Sequence, residues 1–458
     1  MESRNTSVMS ATRYRLFAGV SPGFERLLAA ELSRIAQSVS WKVEQGGAEG
    51  LVTRDELWAV AHKSRLAELV RVRLGHFPVT RFQDLVARLE KLPWSAYIQR
   101  GLPELPSVSA VAVRSKLIHT GAISERVLAA LYNRDITLRP PRTTRGVYSE
   151  FEPEVGGSLP AHRHSASPSG APRIFVRMLH NECTVSVDAA GPQLHKRGYR
   201  LSSVQAPLRE TIAAACLHAV HADLMSRSPS SPAPGAPPLL HQHRLWDPMC
   251  GSGTIVIEAA ADALGLPATV ERRMAFEDWP THDAASYQKF LSTLRSHDIP
   301  LPLPPGQAVG SDIELDAIHA AVRNGERAQV ADSVTFLQCE VLDERMAGVP
   351  QGTVLLTNLP YGKRLQNVQA ARRRLEKLME QRPDLRVYAI APRGALARRT
   401  GVLRQEHTAT GRGSDDETHE LGAASREGAT GTVSRRHLWT EVLGFENRGI
   451  PVALCRGR

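Results

Sequence analysis

The residues best suited to chemistry lie where the apolar run Leu355–Thr357 ends in the tetrapeptide Asn358-Leu359-Pro360-Tyr361. The Asn358 side-chain carbonyl and the Leu359 backbone carbonyl can each accept one N–H bond from an exocyclic amino group. Tyr361 can stack on a base that has swung out of its helix. Chemistry at such a site depends mainly on alignment and requires no strong base. The tetrapeptide, Asn358 through Tyr361, therefore predicts a reaction at an amino group on a base, although a plain turn would explain the tetrapeptide alone about as well.

A glycine-bearing turn, DPMCGSGT, joins an apolar strand to an apolar helix upstream of the tetrapeptide. Glycines lack a Cβ, so a ligand can approach the backbone, and the helix that begins at the turn offers free N–H groups to an anion. Val256 stands where a dinucleotide-binding loop has its third glycine, and no GK[ST] follows, which excludes two common phosphate loops. The pattern favours S-adenosylmethionine. The predicted cofactor contacts in this turn are Asp247, Pro248, Gly251, Gly253 and Thr254.

Acidic residues follow the next two predicted strands. Asp312 ends the strand AVGSD, where its carboxylate can accept both ribose hydroxyl protons, although it can also cap the helix that follows. Glu340, with Asp343 as a second candidate, follows VTFLQC and can accept a hydrogen bond from the adenine amino group. Either of these two acids could instead be solvated.

Two groups of cations in the second half point to RNA. In LHKRGYR four cations, counting His195 if protonated, surround a tyrosine, which suits phosphate contact with stacking, although a solvated linker is the alternative. Two more cations and the run Arg372–Arg374 flank the tetrapeptide, and an exposed helix face explains that run equally well. The candidate RNA-binding residues are Lys196, Arg197, Tyr199, Arg200, Lys363 and Arg364.

The composition supports these assignments. The 458 residues carry a formal net charge of +10, which favours a polyanionic partner over a merely solubilising excess. Five cysteines form no CxxC pair, which suits a reducing cytoplasm and argues against disulfides. The histidines show no metal-ligand spacing, so we expect no metal. We find no secretion signal or membrane span.

The element pattern changes near residue 200. Before it, strands and helices mix in an α+β region; after it, helices and strands alternate, which predicts a doubly wound sheet with ligands at the carboxyl ends of its strands. RIFVRMLHNECTVSVDAAG predicts a hairpin turning at Asn181 and Glu182. Three low-complexity segments, 152–172, 226–238 and about 400–435, cannot bury enough apolar area to fold.

Several motifs together resemble the THUMP-domain guanine-N2 RNA methyltransferases, a family that includes the N-terminal half of bacterial RlmL and carries a UPF0020 methyltransferase domain. They are DPMCGSGTIVIEAA, FEDWP, TNLPYGKRL, the junction HKRGYR…APLRETIAAA and the closing NRGIPVALCR. The early SPGFERLLAAEL and SKLIHTGAISERV match as well. The resemblance implies a ferredoxin-like domain at 1–60, a THUMP RNA-binding domain at 61–192 with the insert 152–172, and a Rossmann-like class I methyltransferase domain at 193–458 with the insert 400–435.

The resemblance also implies methyl transfer from S-adenosylmethionine to the N2 amino group of a guanine, with 23S ribosomal RNA as the favoured substrate. Glu340 stands where the family commonly has Asp. Leu359 replaces a usual proline and recurs among tRNA-modifying relatives, which keeps tRNA as an alternative. A non-catalytic RNA-binding assembly factor and a DNA adenine-N6 methyltransferase are less favoured. We expect a cytoplasmic protein; the sequence leaves its oligomeric state open, with a monomer favoured.

Overall fold

The computed structural model describes residues 13–102, 104–136, 171–201, 208–227, 238–269, 272–296, 302–343, 349–360, 365–396, 439–447 and 450–457. Two seven-stranded sheets organise this part of the chain. The predicted α/β class is confirmed, with a mixed sheet in the first half and a doubly wound sheet in the second. The low-complexity segments lie almost wholly outside the described residues.

The chain starts with a strand–helix–strand–strand–helix–strand unit. Its elements are β1 (Tyr14–Gly19), α1 (Glu25–Ile35), β2 (Lys42–Glu44), β3 (Gly47–Val52), α2 (Arg54–Lys63) and β4 (Leu69–Pro78). The strands pair antiparallel in the order β2-β3-β1-β4, which is a ferredoxin-like arrangement. The unit therefore extends to residue 78, so α2 crosses the expected boundary at residue 60 and β4, beyond it, pairs with β1.

The remaining elements of the first half extend the same sheet. They are α3 (Phe82–Leu89), β5 (Ser107–Val113), α4 (Thr120–Asn133), β6 (Arg173–Leu179) and β7 (Glu182–Asp188). Because β7 pairs antiparallel with β4, the sheet continues without a break into β6 and β5. The predicted hairpin is confirmed, but it turns one residue earlier, at His180 and Asn181, whose φ angles are +51° and +64°.

The second half forms the doubly wound sheet. Its elements are α5 (Glu210–Ser226), α6 (Leu239–Gln242), β8 (Leu245–Asp247), α7 (Thr254–Ala263), α8 (Ala284–Arg295), β9 (Ala308–Asp312), α9 (Leu315–Arg327), β10 (Thr335–Gln338), β11 (Val354–Asn358), α10 (Leu365–Gln381), β12 (Arg386–Pro392), β13 (Trp439–Asn447) and β14 (Ile450–Gly457). The strand order is β10-β9-β8-β11-β12-β14-β13. All pairs are parallel except the two that involve β14, which pairs antiparallel with both β12 and β13.

Apolar and aromatic side chains join the two halves. Trp58 of α2 packs against Tyr287 of α8 with 5.1 Å between ring centroids, and Phe276 lies 5.2 Å from Tyr287. The fully buried His62 contacts the Tyr287 hydroxyl through its Nε2 at 2.8 Å. One core of buried residues thus runs through both halves and fixes the position of the second sheet.

Among the helices that the structure describes, none combines the length and the apolar character needed to cross a bilayer.

Candidate active site

The candidate site lies at the carboxyl edge of the second sheet, where the strand order changes direction. β8 lies between β9 and β11 and is parallel to both, so the helices that follow these strands leave a crevice between them. The ends of the three strands are Asp247, Asp312 and Asn358. Three separate sequence signals therefore meet at one edge, as the alternating pattern predicts.

Backbone hydrogen bonds hold the turn after β8 against the end of β9. The Gly251 N–H donates to Asp312 Oδ2 at 2.9 Å, and the Cys250 N–H donates to the Ser311 carbonyl at 2.9 Å. Gly251 has a φ of +53°, a conformation that glycine adopts without strain. The predicted turn and the predicted ribose acid thus form one continuous structure.

Gly253 has a role that differs from the predicted close approach to a ligand. It has a φ of +82°, and a Cβ at this position would come within 2.9 Å of Phe336 Cζ and 3.0 Å of the Ala321 Cβ. Glycine is therefore required here by packing against α9 and β10 as well as by backbone conformation. The next residue, Thr254, begins α7 and is buried, so this tight packing places the amino end of α7 at the crevice.

Asp247 is almost fully buried, and burial raises its pKa to about 7. Its Oδ1 accepts a hydrogen bond from the Met249 N–H at 3.1 Å, which stabilises the start of the turn. Pro248, between these two residues, is also buried. A carboxylate in this position can shape the turn or face the charged end of a ligand.

The Asp312 carboxylate accepts two backbone N–H bonds, from Gly251 at Oδ2 and from Glu314 at Oδ1. Each oxygen keeps a second lone pair that can accept from a ribose hydroxyl. Directly after it, the Ile313 side chain is 61% exposed. An apolar surface beside the acid can pack against the face of a purine. Ile313 was not among the residues predicted from the sequence, although an apolar residue immediately after an acidic strand end is a recognisable signal.

Glu340, a candidate for the adenine contact, is held by two partners. Its Oε1 lies 3.0 Å from Nε of Arg374 on α10, and its Oε2 accepts from the Leu342 N–H at 2.9 Å. Asp343, the second candidate, is half-buried, and its N–H donates to the Glu340 carbonyl. Arg374 could not be predicted as the partner of Glu340 from the sequence. It belongs to the run Arg372–Arg374, which looks like an exposed face of a helix.

Asn358 is the last residue of β11, at the carboxyl edge of the sheet. Its Oδ1 is buried and accepts no hydrogen bond from the part of the chain that the structure describes. A buried acceptor without a donor is costly, so this atom is suited to a donor supplied by a substrate.

The contacts of Leu359 explain why leucine stands at a position where the family usually has proline. Its N–H donates to the Ile390 carbonyl at 2.9 Å, and its side chain is fully buried among core residues. Proline has no N–H and could not make this bond. Pro360 is half-buried, while Tyr361, Lys363 and Arg364 lie outside the described residues.

The structure places three of the expected RNA contacts in LHKRGYR against carboxylates of the protein. The Arg197 side chain is 2% exposed and lies 3.6 Å from Glu258 Oε1, and the Tyr199 hydroxyl donates to the same carboxylate at 3.1 Å. Arg200 is 13% exposed and pairs with Glu210 at 3.1 Å. In this conformation the hydrogen-bonding groups of these side chains are therefore engaged by carboxylates of the protein itself. Lys196 is exposed.

His195 also differs from the expectation of a cation. It is buried, and burial together with the neighbouring Arg209 lowers its pKa to about 3, so the ring is neutral near pH 7. The charge pattern in the sequence suggested a solvated basic segment, whereas tertiary packing turns most of it inward.

No group of three metal-ligating side chains lies together in the described ranges. All five cysteines are buried thiols without disulfide bonds. The described site is therefore built from carboxylate, amide and backbone groups.

Comparison with known proteins identifies the class of the second half. Residues 239–384 match the family model described as UPF0020, RMKL-like methyltransferase domain. A predicted RNA methyltransferase of Synechocystis is 28% identical over 79% of this chain and 83% of its own length. The ribosomal RNA large subunit methyltransferase K/L of Syntrophotalea carbinolica is 30% identical over 78% of this chain. This chain spans about half of the latter protein, 46% of its length.

Solved structures share the whole fold. A predicted N6-adenine-specific DNA methylase from Listeria monocytogenes is 25% identical, with a TM-score of 0.64 over 83% of this chain and 89% of that one. A methyltransferase solved in complex with SAH has a TM-score of 0.66 at 19% identity, covering 98% of both chains. These similarities confirm the predicted class I methyltransferase fold.

The match covers the turn after β8, the acid after β9 and the tetrapeptide after β11, which are the features that the sequence assigns to methyl transfer. S-adenosylmethionine is the cofactor that this family assignment confirms. Residues 239–384 of this chain form a methyltransferase domain of the RMKL-like UPF0020 family.

Proposed function

We propose that this protein transfers a methyl group from S-adenosylmethionine to the N2 amino group of a guanine in 23S ribosomal RNA. The observation that carries the proposal is the buried Asn358 Oδ1, which lacks a donor within the described chain and lies at the same sheet edge as the cofactor turn. An amino group on a base supplies the missing N–H.

The crevice contains groups that fit each part of the cofactor. Asp312 keeps free lone pairs for the ribose, Ile313 offers an apolar surface for the adenine face, and Glu340 or Asp343 can accept from the adenine amino group. The amino end of α7, at Thr254, favours the carboxylate of the methionine part. When bound, the cofactor supplies a methyl group activated by its positive sulfur.

The protein contributes alignment. Asn358 Oδ1 and the Leu359 carbonyl each accept one N–H of the base amino group, which directs the nitrogen lone pair at the methyl carbon. The nitrogen–carbon bond forms as the carbon–sulfur bond breaks, and the amino group then releases one proton to water. Tyr361 is the proposed stacking platform for the base.

RNA is the preferred substrate class for three reasons. Three relatives similar over more than three quarters of this chain carry RNA methyltransferase names, and two of them are named for ribosomal RNA of the large subunit. The chain carries a net charge of +10, which suits a polyanion. A ferredoxin-like unit and a further α+β region, which we interpret as a THUMP domain, precede the methyltransferase domain and offer a separate surface for RNA.

The direct test is transfer of radiolabel from S-adenosylmethionine to purified nucleic acids, followed by nucleoside analysis. We expect label in 23S ribosomal RNA and recovery of N2-methylguanosine. Label confined to tRNA would replace the substrate but retain the chemistry. N6-methyladenosine in DNA would overturn the proposal. No transfer to any nucleic acid, with S-adenosylhomocysteine bound normally in calorimetry, would favour a non-catalytic RNA-binding factor.

A further inference from the structure

One face of the N-terminal sheet is lined with arginine rather than with apolar side chains. Alternate residues of β4 and β6 point to opposite faces, so the core residues of these strands face the helices. The other face carries Arg71 and Arg73 from β4 and Arg173, Phe175 and Arg177 from β6. Phe175 is buried, yet it does not pack in the apolar core.

Arg71 lies at the centre of this face and is only 7% exposed. Its guanidinium carbon stacks 3.4 Å from the centroid of the Phe175 ring. Its Nε and Nη2 atoms are buried, and neither donates a hydrogen bond to any residue in the described ranges. A buried cation whose donors are unused is unfavourable unless a partner comes from outside the chain.

The neighbouring acids are already engaged. Asp188 lies opposite Arg71 in the pairing of β4 with β7, but its carboxylate binds the Arg173 guanidinium and accepts from the Ala190 and Gly191 N–H groups. No ion pair joins Arg71 to an acid in the part of the chain that the structure describes, and burial lowers its pKa to about 9, which leaves it charged near neutral pH. The face therefore has at its centre a forked donor that makes no direct ion pair within the described ranges, although the charge of Asp188 acts on it from nearby.

Nearby groups extend the donor set. Arg73 is neutralised by Glu44 and Glu49, whereas Arg177, on the same strand face as Phe175, has no ion pair within the described ranges. The small polar residue Ser186 pairs across the strands with both Phe175 and Arg73. Arg71, Ser186 and Arg177 thus share one face around the Phe175 ring.

We propose that Arg71, with Ser186 and Arg177, binds a phosphate group of the RNA substrate on this face of the N-terminal sheet. The inference rests on the proposed function in that RNA is the substrate. A guanidinium presents paired donors that match phosphate oxygens, and its stacking on Phe175 holds it in one orientation. The site lies in the N-terminal half, away from the methyl-transfer residues, so it contributes to binding and not to chemistry.

The test compares Arg71→Met with Arg15→Met in the full-length protein. Arg15 lies on β1 and is exposed, with its guanidinium paired to Glu49 at 2.8 Å. We expect Arg71→Met to weaken RNA binding about tenfold and to reduce the slope of log affinity against log salt by about 1. The melting temperature should be unchanged or higher, because a buried unpaired charge is removed. In Arg71→Met, the affinity for S-adenosylhomocysteine and kcat should stay as in the wild type, whereas KM for RNA should rise. The control Arg15→Met should change each of these values by less than about twofold.

Two outcomes would overturn the proposal. One is an unchanged RNA affinity and salt slope in Arg71→Met. The other is loss of folding in both Arg71→Met and Arg71→Lys, which would make the residue structural.

Melting temperatures in inorganic phosphate and in chloride, at equal ionic strength, separate the two sources of phosphate. Stabilisation by phosphate of the wild type but not of Arg71→Met, together with weakened RNA binding by the variant, supports the site. Stabilisation without any effect on RNA overturns the RNA assignment. Failure of methyl transfer by the wild-type protein would contradict the proposed function and leave these binding measurements interpretable.

Discussion

Single side chains at strand ends carry the proposed chemistry, and their partners determine what each can do. Asn358 presents a buried acceptor with no donor in the described chain, whereas Glu340 is held by Arg374 and a backbone N–H. The Asn358 acceptor can therefore take a hydrogen bond from a substrate, whereas the Glu340 carboxylate is held in one orientation before any ligand binds. Substitutions at these two positions should therefore affect different steps.

Asn358→Ala should reduce turnover about 100-fold, because the base amino group loses one of its two alignment partners. S-adenosylhomocysteine affinity should remain within about twofold of the wild type, since Asn358 is proposed to contact the base rather than the cofactor. Asn358→Asp keeps an acceptor and should retain more activity than Asn358→Ala. Single-turnover rates and calorimetry provide the two measurements. An equal loss of turnover and cofactor affinity would show that the role of Asn358 is misassigned.

Glu340→Gln should reduce discrimination between S-adenosylhomocysteine and its inosine analogue, which lacks the adenine amino group. The carboxylate has two oxygens that accept only, whereas an amide presents one acceptor and one donor group. Calorimetric affinities for both ligands give the ratio. Asp343→Asn is the matched control, and we expect its ratio to equal that of the wild type. Loss of discrimination in Asp343→Asn alone would move the adenine contact to Asp343.

At the scale of elements, helix α7 connects the cofactor turn to the N-terminal half. Glu258 lies four residues after Thr254, is 1% exposed, and pairs with Arg65 from the N-terminal half at 3.0 Å. The same carboxylate contacts Arg197 and accepts from the Tyr199 hydroxyl. The helix that begins at the cofactor crevice is thus fixed to both the first half and the connecting segment.

Glu258→Gln should destabilise the protein by about 3–5 kcal/mol, because the buried Arg197 guanidinium loses its acidic partner and Arg65 keeps the longer contact with Asp262, at 3.5 Å. The exposed pair between Arg393 and Glu441 provides the control, and Glu441→Gln should cost about 1 kcal/mol or less. Urea denaturation followed by circular dichroism measures both. Equal midpoints for the two variants would mean that the buried network contributes little.

At the scale of the whole molecule, the buried junction makes stability depend on pH. His195 has a pKa of about 3 in the folded protein, well below that of an unfolded histidine. The unfolded chain therefore binds a proton that the folded chain does not, and this contribution to stability is lost as pH falls below about 6.5. Asp247 and Glu210, with pKa values raised to about 7, act in the opposite direction as pH rises.

Comparison of the wild type with a His195 variant separates the contribution of His195 to the pH dependence of stability from the contributions of Asp247 and Glu210. The advantage in melting temperature of the wild type over His195→Gln should be largest above pH 7 and shrink between pH 6.5 and 5, since glutamine does not titrate. Thermal melts in buffers of equal ionic strength at half-unit pH steps give the difference. A difference that stays constant across this range would show that His195 is protonated to the same degree in both states.

The sequence by itself determined the class of fold, the cofactor turn and the order of the strand ends. These depend on short-range patterns: an apolar strand, a glycine turn and an apolar helix are contiguous, and parallel strands bring their carboxyl ends to one edge. Asp247, Asp312 and Asn358 could be placed together from that rule alone.

Only the tertiary structure decided which charges face solvent and which lie inside. Arg197, Tyr199 and Arg200 look like a solvated basic segment, yet they pair with Glu258 and Glu210. Arg65 and Glu258 lie 193 positions apart. The same reason explains why the first unit extends beyond the expected boundary at residue 60, since the pairing of β4 with β1 and β7 is set across the sheet. Burial and ion pairing depend on contacts between distant parts of the chain, and no local spacing records them.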